Sequence, residues 1–190
     1  MALVFSDDQE LLRQLTRGSE AAFGTLYERY QGAIYRFAWH MSGDRGAAED
    51  VTQEVFLALI ERANGYDPGK GPLLNYLYGV GRNLMRRRMQ QGWADVPLAD
   101  DLADGADGDV PCEMDFAVEL DRRELLDSLR KAVLALPGQY RETVVLCDME
   151  EMSYPEAAMI LQCPPGTVAS RLHRARAMLK TRLQGMGCAR

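Results

Sequence analysis

The stretch MSYPEAAMILQCPPGTVASRLHRARAMLKTRL, residues 152–183, decides how the C-terminal part of this chain folds. Ser153, Pro155 and Glu156 have the spacing of a helix start, in which the serine hydroxyl and the glutamate carboxylate accept hydrogen bonds from free backbone N–H groups. A short helix, PEAAMIL, is followed by the interrupting segment CPPG, and a second helix is predicted to start near Thr167. Two helices joined by a tight turn are typical of the helix-turn-helix, whose second helix enters the major groove of DNA.

The predicted second helix has three distinct faces. At about 100° per residue its apolar side chains form one packing stripe, made of Val168, Leu172, Ala175 and Leu179. One flank carries groups that can read base edges, namely Thr167, Ser170, Arg171 and Arg174. The other flank carries groups suited to phosphates, namely His173, Arg176 and Lys180. A solvated basic face is the alternative, but the lack of acids from Pro164 onward favours DNA.

Charge is distributed unevenly along the chain. The sequence has 22 basic and 28 acidic residues and a net charge of −6, yet residues 92–115 alone hold eight acids and no base. Residues 71–91 and the tail from Pro164 contain basic residues and no acids. Blocks of this kind indicate an electrostatic partner, so an acidic total does not exclude nucleic acid.

Several classes of site and of protein are disfavoured by the sequence. Its four cysteines and two histidines have no metal-ligand spacing; they are Cys112, Cys147, Cys163, Cys188, His40 and His173. We therefore expect no disulfide, metal or cofactor, and cysteines that act as small apolar residues, with a redox-responsive role for Cys147 and Cys163 as the alternative. No apolar run of about 18 residues and no secretory signal is present, so we expect a cytoplasmic protein. The sequence contains neither a phosphate-binding loop nor a nucleophile paired with a histidine, so no motif in it indicates an enzyme.

Helical periodicity predominates in the rest of the chain, so the predicted fold is all-α. Apolar residues recur at intervals of three or four at Phe23, Leu26, Tyr30, Ile34, Phe37 and Met41. The next stripe is predicted to be Val51, Val55, Phe56, Leu59 and Ile60. A third is predicted to be Leu73, Leu77, Val80 and Leu84. The Gly- and Pro-rich residues 64–72 between the last two stripes are predicted to form a loop.

The acidic residues 92–115 are predicted to be a flexible linker, because they are rich in Asp, Gly and Pro and poor in apolar side chains. This interpretation gives two small helical domains, residues 5–91 and residues 116–186, of which the second contains the helix-turn-helix. An exposed loop within a single domain is the alternative.

The C-terminal motifs LP…YRE, SYPEAA and GTVASRLHRAR, in this order and spacing, resemble region 4 of bacterial extracytoplasmic-function sigma factors, in the sigma-70 family. Region 4 is the promoter-reading helix-turn-helix of that family. The resemblance implies that the minus-35 element is read by Thr167, Ser170, Arg171 and Arg174. This chain has Ala169 where the family usually has a basic residue.

The segments EAAFGTLYERY, AEDVTQEVFLAL and NYLYGVGRNLMRRR resemble region 2 of the same family, which binds core RNA polymerase and opens the minus-10 element. The resemblance places contacts with the clamp coiled coil of the polymerase β′ subunit at Asp50, Gln53, Glu54 and Leu57. It places minus-10 contacts at Tyr76, Arg82, Asn83, Arg86 and Arg87. The three arginines among them carry charges that suit the phosphates of a displaced strand.

Alternatives remain at three of these positions. Asp50 and Glu54 could form a solvated helix face, and Tyr76 could be a packed aromatic, whereas Phe56 is assigned to the core. The chain also departs from the family pattern, with Tyr76-Leu77 in place of Trp-Leu and no Asp within NLMRRR.

The resemblance implies an alternative sigma factor that binds core RNA polymerase, through the β′ clamp coiled coil and the β subunit, and directs initiation at promoter DNA. Family members are controlled by anti-sigma factors, so such a partner is expected here. The alternative is a conventional DNA-binding regulator with an N-terminal sensor domain, which would have no need of DVTQEVFLAL and GRNLMRRR. The acidic linker either mimics nucleic acid in polymerase channels or simply solvates the connection.

Overall fold

The computed structural model describes residues 2–90 and 116–185 of the chain, and these residues form eight α-helices without a strand. The predicted all-α fold is thus confirmed. The predicted linker lies outside the described residues, as do Cys112 and Cys188, so the division into two domains stays a prediction. The helices before the gap, which we call the N-terminal bundle, are α1 Ala2–Thr16, α2 Glu20–Ser42, α3 Arg45–Glu61 and α4 Leu73–Gln90. The helices after it, the C-terminal bundle, are α5 Phe116–Leu134, α6 Gly138–Val144, α7 Tyr154–Leu161 and α8 Pro165–Gly185.

Side-chain caps fix the ends of α2 and α3. Ser19 accepts a hydrogen bond from the N–H of Ala22 at 3.3 Å and starts α2, and Asp44 accepts one from Ala47 at 2.7 Å and starts α3. Between them Gly43 ends α2 with a φ of 75°, a left-handed conformation that favours glycine. A β-carbon at Gly43 would also lie 2.6 Å from the Leu134 side chain, so the C-terminal bundle approaches the end of α2 closely.

The core of the N-terminal bundle follows the predicted stripes with one exception. The α2 stripe is buried apart from a half-buried Phe23, and Phe56 of α3 is only 2% exposed, as predicted for a core residue. Ile60 was expected on the same stripe but is 47% exposed. It follows Leu59, which is fully buried, by one residue and therefore points about 100° away from it. This prediction was wrong.

Helix α1 is held on α2 by a buried carboxylate. Asp8 accepts hydrogen bonds at 2.5 Å from both Arg29 and the hydroxyl of Tyr30. Burial, reinforced by the Asp8 carboxylate, raises the pKa of Tyr30, so its hydroxyl stays a donor at neutral pH.

The α4 stripe differs from the prediction. Leu73 and Leu77 are fully buried, but Val80 and Leu84 are only half-buried. The residues buried in their place are Tyr78, Arg82 and Met85. Helix α4 packs against α2 and α3 on one side and against α7 of the C-terminal bundle on another, so it buries a wider surface than one stripe. The loop before α4 contains two short 3₁₀ turns, at Ala63–Gly65 and Pro68–Lys70.

The C-terminal bundle builds the predicted helix-turn-helix from α7 and α8. The capping box is confirmed, with Ser153 and Glu156 bonded reciprocally at the start of α7. Helix α7 ends at Gln162 in a left-handed conformation, and α8 begins at Pro165, two residues before the predicted start. Proline suits a first helical position because its missing N–H would be unpaired there. The packing stripe of α8 is confirmed, since all four of its predicted residues are buried.

Helix α6 is followed directly by a π-helical turn, Val145–Met149. Val144, Val145 and Leu146 at this junction are buried. A single hydrophobic cluster runs through both bundles.

We predict that Ser153→Ala lowers the free energy of unfolding by about 1 kcal/mol, because the early N–H groups of α7 lose the hydroxyl acceptor. Chemical denaturation followed by circular dichroism measures this change. Thr181→Ala is the control: its hydroxyl also bonds the backbone, to Ala177, but within an exposed part of α8. An equal loss of stability in both variants would contradict the capping role.

Candidate nucleic-acid interface

The base-reading flank of α8 is open to solvent. Ser170 and Arg174 are exposed, and Thr167 and Arg171 are half-buried. The Ser170 hydroxyl donates to the carbonyl of Thr167 at 3.0 Å, and the Arg171 guanidinium lies 3.9 Å from the Cys163 sulfur. Ser170 and Arg174 lie on the side of α8 away from its buried stripe, so these two side chains are free to enter a groove. The local geometry is therefore that of a helix that can be presented to duplex DNA.

The phosphate flank of α8 is exposed at all three predicted residues, His173, Arg176 and Lys180. Arg176 is bound by Asp148 through two hydrogen bonds of 3.0 and 2.5 Å, which raise the pKa of its guanidinium. Asp148 comes from the π-helical turn, and sequence reasoning did not pair it with Arg176. A phosphate would therefore have to share Arg176 with this carboxylate or displace it.

The predicted minus-10 residues of α4 do not all lie on one open surface. Asn83, Arg86 and Arg87 are exposed, as expected. Arg82 was predicted to contact the minus-10 element alongside them, but it is 5% exposed and sits between the bundles. Its Nε donates to Glu142 at 2.9 Å, and its Nη1 donates to the carbonyl of Ile160 at 3.3 Å. Protein groups rather than solvent thus surround Arg82, and its DNA contact stays a prediction.

Tyr76 is half-buried and stacks at a tilt on Tyr66, with ring centroids 5.8 Å apart. The Tyr66 hydroxyl donates to the carbonyl of Gly71 at 2.9 Å, which closes the loop before α4. In this arrangement Tyr76 supports the loop, in keeping with the packed-aromatic alternative.

The predicted polymerase-binding residues of α3 share an outer face. Asp50, Gln53 and Leu57 are exposed and Glu54 is half-buried. Arg88 of α4 pairs with both carboxylates, at 3.4 Å from Asp50 and in a shorter contact with Glu54. Burial alone would lower the pKa of Arg88, but Glu54 and Asp50 outweigh it and raise the pKa. The acidic pair is thus fixed by α4 rather than merely solvated.

An exposed apolar pair completes this face. Leu57 is 57% exposed, and Ile60, one turn further on, is 47% exposed. Sequence reasoning counted Leu57 and missed Ile60. The signal that could have found it is the i, i+3 spacing of the two residues, which places both on one side of α3.

A cleft between the bundles, with a volume of about 450 Å³, brings together residues predicted to read different DNA elements. Arg82 and Arg86 of α4 line it together with Arg171 of α8. Residues predicted for the minus-10 element and a residue predicted for the minus-35 element therefore adjoin in this structure.

The two described cysteines, Cys147 and Cys163, are half-buried and unbonded. Burial and the neighbouring Asp148 charge raise the pKa of Cys147 to about 11, so its thiol is protonated and weakly reactive at neutral pH.

In residues 2–90 and 116–185, no cluster of three His, Cys, Asp or Glu side chains could hold a metal. None of the helices in these ranges has the length and apolar character needed to cross a bilayer.

Comparison with known families and proteins gives consistent matches over the chain. Residues 26–94 match Sigma-70 region 2, and residues 126–179 match Sigma-70, region 4. The chain is 30% identical over 185 residues to the ECF RNA polymerase sigma factor SigW of Bacillus subtilis, covering 92% of this chain and 96% of that protein. It is 32% identical over 184 residues to the RNA polymerase sigma factor CnrH of Cupriavidus metallidurans, covering 93% and 94%.

Two solved structures are similar to the whole arrangement. CnrH in complex with the cytosolic domain of CnrY gives a TM-score of 0.67 at 26% identity, over 94% of this chain and 97% of that one. The sigma factor RpoE in complex with the anti-sigma factor NepR from Bartonella quintana gives a TM-score of 0.63 at 25% identity, over 85% and 96%.

We predict that Arg174→Ala relaxes the preference at one base position and costs about 1–3 kcal/mol on the preferred duplex, because a base-edge contact is lost. Arg176→Ala is expected to weaken binding to all sequences alike and to lower the salt dependence, because a phosphate contact is lost. Selection of full-length protein and its variants on a randomised duplex pool, followed by sequencing, measures both effects.

Arg182→Ala is the matched control, since Arg182 is exposed on the same helix outside both predicted flanks. If Arg174→Ala and Arg176→Ala change affinity equally on every sequence, the assignment of the two flanks is wrong.

Proposed function

Because the chain belongs to the extracytoplasmic-function sigma factors of the sigma-70 family, we propose that it binds core RNA polymerase and directs initiation through α4 at the minus-10 element and α8 at the minus-35 element. The observation that carries this proposal is the order of the two matched regions, region 2 at residues 26–94 and region 4 at residues 126–179, on one chain. A regulator that acts without polymerase needs the second region alone. The protein thus acts by positioning polymerase on DNA, in the cytoplasm, without catalysing a reaction.

Region 4 reads duplex DNA with the exposed flank of α8. The support is physical: a rigid helix with a buried stripe presents Ser170 and Arg174 outward, and no acid on α8 opposes the approach of phosphates. Region 2 contacts the minus-10 element with Asn83, Arg86 and Arg87, which are exposed along α4, and with Arg82 once it is accessible.

Core polymerase docks on the outer face of α3. An apolar pair flanked by carboxylates suits a protein interface, because exposed apolar side chains gain by burial and the charges set the orientation. Leu57 and Ile60 supply the apolar contact, and Asp50, Gln53 and Glu54 the polar rim. The proposed partner of this face is the β′ clamp coiled coil, and region 4 adds a contact with the β subunit.

An anti-sigma factor holds the protein inactive in this proposal. The support is that both similar solved structures are complexes, one with the cytosolic domain of CnrY and one with the anti-sigma factor NepR. Each likeness covers both bundles, so the arrangement described here resembles sigma factors in complex with a partner.

In vitro transcription tests the proposed function directly. The protein is mixed with bacterial core polymerase and fragmented genomic DNA from its source, and the RNA starts are mapped. Starts that share a two-part upstream motif and that require the protein support the proposal. Binding to duplex DNA without polymerase, and no new starts with it, would instead favour a stand-alone regulator.

We predict that Leu57→Asp weakens binding to the β′ clamp coiled coil by more than tenfold, since burying a leucine side chain contributes about 1.5–3 kcal/mol and the new charge must also be desolvated. Calorimetric titration against the isolated coiled coil measures the change. Leu125→Asp is the control, because Leu125 is a similarly exposed leucine, at 49%, on α5. The docking face is wrong if Leu125→Asp weakens this binding as much as Leu57→Asp does.

A further inference from the structure

We propose that the cleft between the two bundles binds a small phosphorylated molecule of mononucleotide size, with its phosphate held by Arg86 and Arg171. The binding itself is a property of this chain alone. Its consequence for DNA rests on the proposed function, because both arginines are among the predicted promoter contacts.

The lining of the cleft carries an excess of positive charge. The described residues that line it include three arginines, Arg82, Arg86 and Arg171, and one carboxylate, Glu142. Glu142 lies 2.9 Å from Nε of Arg82 and 3.9 Å from Nε of Arg86. The closer pair is largely buried, since both of its side chains are 7% exposed. Glu142 therefore neutralises Arg82 and offsets the charge of the exposed Arg86 only in part.

Arg171 faces the cleft from α8, on the opposite wall. It is half-buried, and its Nη1 lies 3.9 Å from the sulfur of Cys163. A sulfur is a weak acceptor, whereas a guanidinium has five N–H donors. In the described part of the chain the Arg171 side chain has no carboxylate partner. Arg171 thus brings an uncompensated charge and spare donors to a concave surface.

A phosphate group suits these two arginines. The guanidinium is a planar fork whose N–H groups can bind phosphate oxygens in pairs. A phosphate monoester carries a charge of about −1.5 to −2 near neutral pH. Walls of low dielectric constant focus the field of the arginines inside the cleft. A dianion that bridges Arg86 and Arg171 therefore fits the charge of this site.

The cleft has room for more than a phosphate group. Its volume is about 450 Å³, within the range of about 300–1,000 Å³ that is usual for small-molecule sites. Met89 and the buried Leu161 give it an apolar part, and the amides of Gln139 and Gln162 can donate and accept hydrogen bonds. Apolar side chains beside amides suit a flat ring with polar edges, such as a nucleobase. We therefore take the ligand to be a phosphate ester of mononucleotide size.

The walls of the cleft are held by contacts outside it, and one of these centres on Glu150. Its side chain is 5% exposed. It accepts a hydrogen bond from the Tyr78 hydroxyl at 2.7 Å and lies 3.6 Å from Arg36. Tyr78 lies one helical turn before Arg82, so this contact fixes α4 close to the arginines that line the cleft.

A second set of contacts outside the cleft is at the C-terminal end of α2. Arg141 donates to the carbonyl of Met41 at 2.7 Å, and Arg130 donates to the carbonyl of Gly43 at 2.7 Å. The last carbonyls of a helix lack partners within it and carry partial negative charge, so cations there are favourable. Because these contacts position both walls without a ligand, the cleft is preformed, and binding does not lose the entropy of assembling it.

Occupancy of the cleft is expected to oppose DNA binding. The ligand would bridge Arg86, which is predicted for the minus-10 element, and Arg171, which is predicted for the minus-35 element. A ligand that binds one arrangement better than another shifts the protein toward it by its differential affinity. The site would thus couple promoter binding to the concentration of a small phosphorylated molecule.

Calorimetric titration of the full-length protein with AMP, GMP, CMP and UMP, at constant ionic strength, tests the site. At least one of the four is expected to bind with a Kd below about 1 mM, and the matching nucleoside, which lacks the phosphate, is expected not to bind. Arg86→Ala and Arg171→Ala should each weaken this binding about tenfold or more, because hydrogen bonds to a charged group are lost. Arg87→Ala and Arg182→Ala are the matched controls, since both arginines are exposed on the same two helices and neither lines the cleft.

Three outcomes of the titration would contradict the proposal. Failure of all four nucleotides to bind overturns the site. An equal loss of binding in Arg87→Ala and in Arg171→Ala also overturns it, because general electrostatic attraction would then explain the affinity. Inorganic phosphate that binds as tightly as the nucleotide overturns the assigned size of the ligand.

Alkylation of the wild-type protein locates the ligand without any substitution that could impair folding. Cys163 lines the cleft, and Cys147 is a half-buried thiol outside it. With the tightest nucleotide at saturation, iodoacetamide is expected to modify Cys163 several-fold more slowly and Cys147 at an unchanged rate, as measured by mass spectrometry of peptides. Equal slowing at both cysteines, or at neither, overturns the placement in the cleft.

The functional arm measures binding of a single-stranded oligonucleotide with the minus-10 sequence from the mapped starts. The nucleotide at about ten times its Kd is expected to weaken this binding about tenfold, and the matching nucleoside is expected to leave it unchanged. Unchanged DNA affinity at a saturated site overturns the coupling. Titration and alkylation need neither polymerase nor promoter, and transcription without nucleotide reports on the proposed function, so failure of one inference is distinguishable from failure of the other.

Discussion

Two buried carboxylates constrain how the halves of this protein meet. A carboxylate removed from water requires hydrogen-bond donors with good geometry. Among the contacts described above, none of the donors to Glu142 or Glu150 belongs to the C-terminal bundle. The donors come from α4 and α2, as Arg82, Tyr78 and Arg36. The orientation of α7 on α4, the close approach of Leu134 to Gly43 and the cleft that contains three arginines are all consistent with this pairing.

In the same arrangement the surfaces predicted to bind DNA and polymerase differ in their exposure to solvent. Ser170 and Arg174 of α8 and the apolar pair on α3 face solvent in this structure, whereas Arg82 does not. Both similar sigma factors of known structure are bound to a partner, and the arrangement of the two bundles in this chain resembles theirs.

Sequence reasoning predicted the features that arise locally. The capping box, the α8 stripe and the burial of Phe56 follow from spacing within one helix, and all were confirmed. On α4, the burial that was predicted wrongly depends on contacts with a second helix. Arg82 looked like a surface cation because its carboxylate lies 60 positions further along the chain, and Val80 and Leu84 looked like core because α7 was not expected to widen the buried face of α4. Ile60 was misplaced because it points about 100° away from the fully buried Leu59 on the same helix. Resemblance supplied the predicted role of Asp50, which no periodicity could have assigned, whereas the helical wheel of α8 had already placed Arg174 on the flank predicted to read bases.

The contacts of Arg130 and Arg141 with the carbonyls at the end of α2 are expected to depend little on ionic strength, because they are partly buried and join cations to neutral groups. DNA binding, by contrast, releases counterions and weakens steeply as salt concentration rises. A salt series therefore separates two kinds of contact that arginines make in this fold: those that join the bundles persist at concentrations at which those proposed for DNA are lost.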